Sequence, residues 1–513
     1  MPESALAAAN RSGRAATPRS TTTHRQPGRQ LALSVTSPLE PSLPRKTVDN
    51  EPVETLRLSR LDGCVIVYAV AHAVAPSHGR VPPVSLLHTC FSRNPPMTIR
   101  RLTNLALVLP MLWNLAGQST NAADFSGFRG SKRDNISTET GLLKQWPKDG
   151  PKLLWTAKGI GEGYSTVSVV GGQAYTMGAT KAGGESVHAI DLAGGNIVWS
   201  TKISTAYNAS VGNGPRATPT IDGKRLYAQG LNGDVACLDL ESGKILWQKN
   251  VLKTFKGGRP GWAICESVLI DGQKMICTPG GQGATMVALD KVTGDELWRS
   301  AVPGNPQAAY SSSIITTVGG VRQYVNFTRN AVIGVRAEDG TFLWKQSGSA
   351  NGTANCSSPL AADNLIFSAS GYGKGGALVQ LTSTNGQTTA KQVYHTRNMK
   401  NHHGGMVLLK GFLFGFNDGG GLTCLELKTG RVAWRNRSVG KGAVVYADGH
   451  IYLRSEGGRV ALVEASTTEY KQKGVFAQPQ RSRRPAWPHP VVADGKLFLR
   501  DQDSLLVYDI KGQ

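Results

Sequence analysis

His402 and His403 stand side by side and are followed by Gly404 and Gly405. Imidazoles titrate near neutrality, so the pair suits metal ligation or general-base chemistry, or else a structural hydrogen-bonding role. On a strand the two rings would point to opposite faces, and only one could enter a site. Glu266 could bind a cation or take up a proton; its bland alternative is an ion pair with Arg216 or Arg259. Trp262 and Trp487 offer flat faces for a sugar or a quinone, or simply bulk to plug a channel. Asn355 and His489 complete the set of polar candidates. The glycine runs 280–283 and 371–376 lack the strand-to-helix context of a phosphate cradle and read as turns.

These residues lie far apart in the chain, so a regular framework must bring them together. Four segments share one pattern: Ala189-Ile-Asp191 to Trp199, Cys237-Leu-Asp239 to Trp247, Ala288-Leu-Asp290 to Trp298, and Cys424-Leu-Glu426 to Trp434. In each, a small residue is followed by an acid two positions on, Gly at six and Trp at ten. A weaker copy ending at Trp344 has Arg336 in place of the acid, and another, Gln380 to Ala390, keeps only Gly386. The acid can accept hydrogen bonds from backbone N–H groups of the turn that follows, and Gly supplies its positive φ. Trp would then fill the space between neighbouring sheets.

Trp155, Trp199, Trp247, Trp298 and Trp344 are 44, 48, 51 and 46 residues apart, and Trp344 to Trp434 is two such steps. That period fits four short strands and their turns. Upstream of most acids lies a hairpin signal, as in Ile221-Asp-Gly223 and Ala493-Asp-Gly495. Counting both features predicts an all-β, eight-bladed β-propeller of four-stranded antiparallel blades over residues 124–513. Its units start near Tyr164, Arg216, Cys265, Tyr310, Asn355, His402, Lys441 and Trp487. Leu153-Leu-Trp155 lacks preceding strands and Val507-Tyr-Asp509 lacks a following one, so the N- and C-terminal strands are expected to complete one blade and close the ring. The inner-strand starts should then gather Arg216, Trp262, Glu266, Asn355, His402, His403, Trp487 and His489 around the axis.

Composition supports this reading. The 513 residues include 61 Gly, with 40% hydrophobic and 18% charged residues, which excludes a wholly disordered chain or a coiled coil. Residues 1–96 are Pro-punctuated and contain no Trp, so they are expected to be disordered or upstream sequence preceding a true start at Met97. Residues 97–123 combine Arg100-Arg101, an apolar stretch and small residues at a cleavage site, the three parts of a signal peptide. Export to the periplasm or cell surface follows, with no membrane span in the mature chain. The formal net charge is +22, but the basic residues are scattered, without the dense run expected for nucleic acid. Five cysteines follow residue 123, of which Cys265 and Cys277 are the nearest candidates for a disulfide.

Ala288, Asp290, Thr293, Gly294 and Trp298 match every defining position of the repeat of the PQQ-binding-like β-propellers, and the chain resembles that family over about 124–513. The leading segment Phe128-Arg129-Gly130 to Asp134 is similar to the start of its exported bacterial members. The resemblance implies one of two functions. The first is a non-catalytic ligand-binding or protein-assembly module of the cell envelope, monomeric, with an envelope protein or a glycan as partner. The second is a quinoprotein alcohol dehydrogenase holding PQQ and Ca²⁺ on the axis, here with Glu266 and Asn355 around the ion. The adjacent cysteine pair of many such dehydrogenases is not present in the sequence.

Overall fold

The computed structural model describes residues 55–61, 64–70, 124–180, 183–206 and 212–512. The chain divides into two compact units, 1–110 and 111–513. Of the first, the described part is a hairpin in which Thr55–Leu61 pairs antiparallel with Cys64–Val70. The remainder of 1–96 and the whole of 97–123 lie outside the described residues.

The second unit is an eight-bladed propeller. Blades 1 to 7 are consecutive four-stranded antiparallel meanders, beginning at strands Ser168–Val170, Thr220–Asp222, Leu269–Asp271, Ile314–Val318, Leu360–Ala362, Met406–Leu409 and Gly442–Ala447. Blade 8 takes three strands from the C-terminal end, Val491–Ala493, Lys496–Asp501 and Ser504–Asp509, and its outer strand, Lys152–Lys158, from the beginning of the domain. The pairing of Trp155 with Val507 and Thr156 with Leu506 joins the two ends of the domain and leaves no open inter-blade gap. The core lies between blade faces: Tyr175 and Val187 of blade 1, for example, pack with Ile221, Leu226 and Leu238 of blade 2.

The repeated motif makes those interfaces. Ala189, Cys237, Ala288 and Cys424 each stand directly opposite their Trp, and a bulge follows at once. Asp239 accepts from Ser242 N at 2.9 Å, and Asp290 from Val292 and Thr293 N at 2.7 and 2.9 Å. The indoles of Trp155 and Trp247 donate to the carbonyls of Leu192 and Lys291 in the next blade, both at 3.1 Å. Where the acid is lost, Arg336 reaches Asp339 and the Gly386 carbonyl instead.

Two blades fill the aromatic position differently from the sequence expectation. In blade 5 the hairpin is lengthened to Gly375–Thr384 and Gln387–Thr396, and Tyr394, not Ala390, takes the tryptophan's place. Its hydroxyl donates to Leu427 O at 2.6 Å. In blade 7 the position is Gly474, and the missing ring comes from outside the blade: Trp146 packs over Gly474, beside Tyr452 and Phe476.

Candidate functional site

Each inner strand is preceded by a loop that turns toward the axis, and these loops are tied together by small hydroxyl residues. Thr166 N donates to Thr218 Oγ1, Thr218 N to Ser267 Oγ, Ser267 N to Ser312 Oγ and Ser312 N to Ser358 Oγ, over 2.9–3.2 Å. Thr166 Oγ1 returns to the His489 carbonyl of blade 8 at 2.7 Å. Near the axis the blades crowd together, and Ser and Thr satisfy buried backbone groups with little bulk.

One end of the channel is closed. Residues 125–137 cross the axis and touch every blade. Phe125 bridges to Val169, Ser126 O accepts from Ile221 N, and Ser137 N donates to Tyr446 O. Arg133 forks onto the carbonyls of Ser267, Val268 and Ser313, while Arg129 donates to those of Ser358 and Met406. Both guanidiniums are fully buried, and desolvation lowers their pKa values to about 10, so they stay charged at neutral pH. The adjoining Phe128 ring meets His489 at 5.1 Å.

Above this plug lies a cavity of about 240 Å³. Of the eight candidates named from sequence, six line it: Arg216, Trp262, His402, His403, Trp487 and His489. Phe128, Tyr164, Tyr310 and Tyr372 join them, so aromatic faces dominate the walls. Trp487 and Tyr164 stand 4.7 Å apart between ring centres, and Trp262 and Tyr310 stand 5.5 Å apart. Arg216 lies over the Tyr164 ring and is anchored by the carbonyls of Gly212 and Gly214, each at 3.0 Å.

The imidazoles are neutral. His402 Nδ1 sits 2.9 Å from the Lys441 ammonium, and burial with that charge lowers its pKa to about 4. His489 is likewise lowered to about 4 by burial, and His403 falls well below the ordinary value for the same reason. His403 Nδ1 is 3.7 Å from the Glu456 carboxylate, which is close in space but too long for a hydrogen bond. With the ring held neutral, that contact is not an ion pair. Glu456 accepts instead from the Trp487 indole at 2.9 Å.

Glu266 and Asn355 do not line the cavity. Glu266, 3% exposed, accepts from Thr278 N at 2.6 Å, Thr278 Oγ1 at 3.0 Å, and Ser313 Oγ and Asn326 Nδ2 at 3.1 Å. The cation that acts on it is Arg133 of the plug rather than Arg216 or Arg259. The Asn355 side chain is spent on backbone, donating to the Thr328 and Arg329 carbonyls and accepting from Asn351 N. Cys265 and Cys277 are both free: the first reaches the cavity, whereas the second faces the blade core.

Ca²⁺ and PQQ are the cofactors implied by the resemblance, and the donor set does not fit the Ca²⁺ ion. No carboxylate lines the cavity, Glu266 has both oxygens committed, and Asn355 turns away. Among the described residues no group of three or more His, Cys, Asp or Glu side chains could hold a metal ion.

The fold and its axial cavity define a closed PQQ-like propeller. The family model described as "Outer membrane protein assembly factor BamB" matches residues 117–259 and 183–436, more than half of the chain, and the chain belongs to that family. Relatives of the same description come from Kangiella koreensis, 26% identical over 27% of this chain and 34% of its own, and Moranella endobia, 24% identical over 48% and 64%. The chain thus matches less than two thirds of either relative's length. That from Yersinia pestis is 21% identical over 60% of this chain and 77% of its own. The crystal structure of BamB from Moraxella catarrhalis superposes with a TM-score of 0.50 at 14% identity, covering 70% of this chain and 98% of its own. The quinohemoprotein alcohol dehydrogenase of Comamonas testosteroni gives 0.53 at 12%, covering 76% and 81%. Both likenesses concern the fold alone, so the two functions must be separated by the site.

Proposed function

We propose that this chain is an exported propeller of the cell envelope that acts as a ligand-binding or protein-assembly module, in the manner its family's name describes for outer-membrane assembly. The observation that carries the reading is the axial cavity, walled by aromatic rings and neutral imidazoles with no carboxylate among its lining. Such a surface binds and positions; it offers no ligand set for Ca²⁺ and no charged acid–base pair. Family membership supports the assembly role, and the loops around the mouth carry Arg329, Lys374 and Lys400, which suit an anionic partner, while Lys441 there is paired with Asp418 at 3.2 Å. On the same reading residues 97–123 direct export and 1–96 precede the functional protein. Among the described residues no helix is long and apolar enough to cross a membrane.

Affinity purification of the tagged chain from cross-linked envelope fractions should recover outer-membrane assembly proteins. Recovery only from cytosol with no envelope partner would overturn the proposal, as would dye-linked alcohol oxidation by protein reconstituted with PQQ and Ca²⁺.

A further inference from the structure

The cavity wall follows one register. In seven of the eight blades the residue four positions before the inner strand lines it, as Tyr164 does before Ser168 and Arg216 before Thr220. Tyr310 and Trp487 hold the same position in blades 4 and 8, and Trp262 stands three residues ahead of it in blade 3. Each of these three rings keeps part of its surface open, so flat apolar faces are available to a ligand. Cys265 and Cys356, also partly open, occupy the position in blades 3 and 5. Burial pushes the Cys265 thiol up to about 11 and raises Cys356 as well, so both stay neutral and act as small apolar wall.

Uncompensated charge enters from one side only. Arg216 is partly open, and its two Nη atoms each donate to one carbonyl, of Gly214 and Gly212, which leaves further N–H groups for a ligand. The carboxyl that acts on it, Glu185, is buried, held by Leu231 N at 2.8 Å and raised to about 7, so it offsets the guanidinium only in part. The other charges nearby are matched to one another. Lys441 pairs with Asp418 at 3.2 Å, and Glu456 accepts from the Trp487 indole and faces Lys441 at 3.8 Å. The ring nitrogens of His403 are buried and do not open onto the cavity. Such a wall fits an occupant with one negative charge at its edge and an apolar, flat body. At about 240 Å³ the space is smaller than the ~300–1,000 Å³ pockets of drug-sized ligands, which points to a single ring.

Building on the ligand-binding reading above, we infer that the cavity binds a small aromatic carboxylate, with its carboxylate on Arg216 and its ring among the faces of Trp262, Tyr310 and Trp487.

Titration of the purified full chain with 3-phenylpropionate and with its uncharged amide, followed by tryptophan fluorescence and calorimetry, tests this. The acid should bind at least about tenfold more tightly, the weight of a charge-assisted hydrogen bond. Arg216→Gln should erase that preference, and Cys356→Phe, which fills the space, should abolish binding of both, each variant having a melting temperature that shows it is folded. If either variant fails to fold, the wild-type comparison of acid with amide still decides. Equal affinity for acid and amide, or no saturable binding of the acid, overturns the inference. Heptanoate binding as tightly as the aromatic acid overturns the aromatic body, and PQQ, a larger fused-ring tricarboxylate, binding more tightly overturns the single ring. N-acetylphenylalanine carries the same ring and carboxylate beside a peptide bond. Tighter binding than 3-phenylpropionate assigns the carboxylate to a chain end and weaker binding to a free acid, with the shared chemistry upheld in both. Protein that recovers envelope partners yet binds no aromatic acid would overturn this ligand while leaving the assembly role standing.

Discussion

Arg133 is a single side chain that ties the inner strands of blades 3 and 4 to the plug and also donates to Thr220 Oγ1 of blade 2 at 3.4 Å. Its guanidinium donates to Ser267 O at 2.8 Å and Ser313 O at 3.2 Å, with Val268 O as a third acceptor. Only a planar fork reaches several carbonyls at once, so Lys is not an equivalent. Arg133→Ala takes this donor from the buried Ser267 and Ser313 carbonyls, at about 1–3 kcal/mol each, whereas Val268 O keeps the Thr220 hydroxyl at 2.7 Å. We expect a loss of at least ~2 kcal/mol in urea unfolding, with Arg133→Lys recovering less than half; a variant within ~1 kcal/mol of wild type would show that the plug does not support the ring. Beneath it, Glu266 has its pKa raised from 4.5 to about 7 by burial. The folded protein therefore holds a proton more tightly than the unfolded chain, and this group's contribution to stability is complete below about 4.5 and lost as pH rises through 7. Glu266→Gln removes that dependence. Its melting temperature relative to wild type should rise between pH 5 and pH 8, whereas parallel curves would contradict the assignment. The imidazoles have the opposite sign: His402 and His489, lowered to about 4, contribute fully above about 6.5 and lose that contribution as pH falls.

At the scale of the blade, glycine and tryptophan act as one joint. A Cβ at Gly243 would sit 2.5 Å from the Trp199 ring of the preceding blade, and φ there is +69°. A Cβ at Gly223, in the hairpin of the same blade, meets nothing within 4 Å, although φ is +55°. Both alanine substitutions incur left-handed strain of about 1–2 kcal/mol, but only Gly243→Ala also wedges the interface apart, adding about 1–3 kcal/mol. Urea unfolding should thus rank Gly243→Ala well below Gly223→Ala, and equal losses would mean that the close approach carries no weight. This joint was legible because its chemistry demands specific residue types at fixed spacing: Asp for the turn N–H groups, Gly for φ and proximity, Trp for area. It ceased to be legible where another residue met the same demand. Tyr394 fills the slot after six extra residues of hairpin, 16 rather than ten beyond its opposite number Leu378, and Trp146 fills it from 328 residues before Gly474. The site followed the same rule. Six of the eight candidates chosen by their position before an inner strand line one cavity. Glu266 and Asn355 sit one step out of register, where local hydrogen bonds rather than strand order decide orientation. The Ser/Thr belt left a signal in Ser165-Thr166, Thr218, Ser267, Ser312 and Ser358 just ahead of successive inner strands. The plug was visible only as a family-like leading segment, and its role was not legible, because Arg129 and Arg133 gain their meaning only from acceptors contributed by five blades.

A ring of sheets has no natural end, so its stability depends on how the chain closes it. Here closure joins Lys152–Lys158 to Ser504–Asp509, across nearly the whole domain. Forming so distant a pair requires closing a very long loop, yet that cost grows only slowly with length, while an open ring would leave two sheet edges and two apolar faces in water. The plug adds a second constraint. Because residues 125–137 contact each blade, they cannot settle until the inner strands have assembled, and once seated they resist any blade swinging outward. Removing residues 503–513 should therefore abolish the single cooperative melting transition and cause aggregation, although it deletes none of the cavity lining. Breaking the chain elsewhere should be harmless if closure is kept. A circular permutant opened in the exposed turn at 385–386, with residues 512 and 124 joined by a flexible linker, retains every strand pair and should melt within a few degrees of wild type. A truncated protein that unfolds as one unit at the wild-type temperature, or a permutant that fails despite an intact blade 8, would mean that the ring is held by something other than the pairing of its two ends.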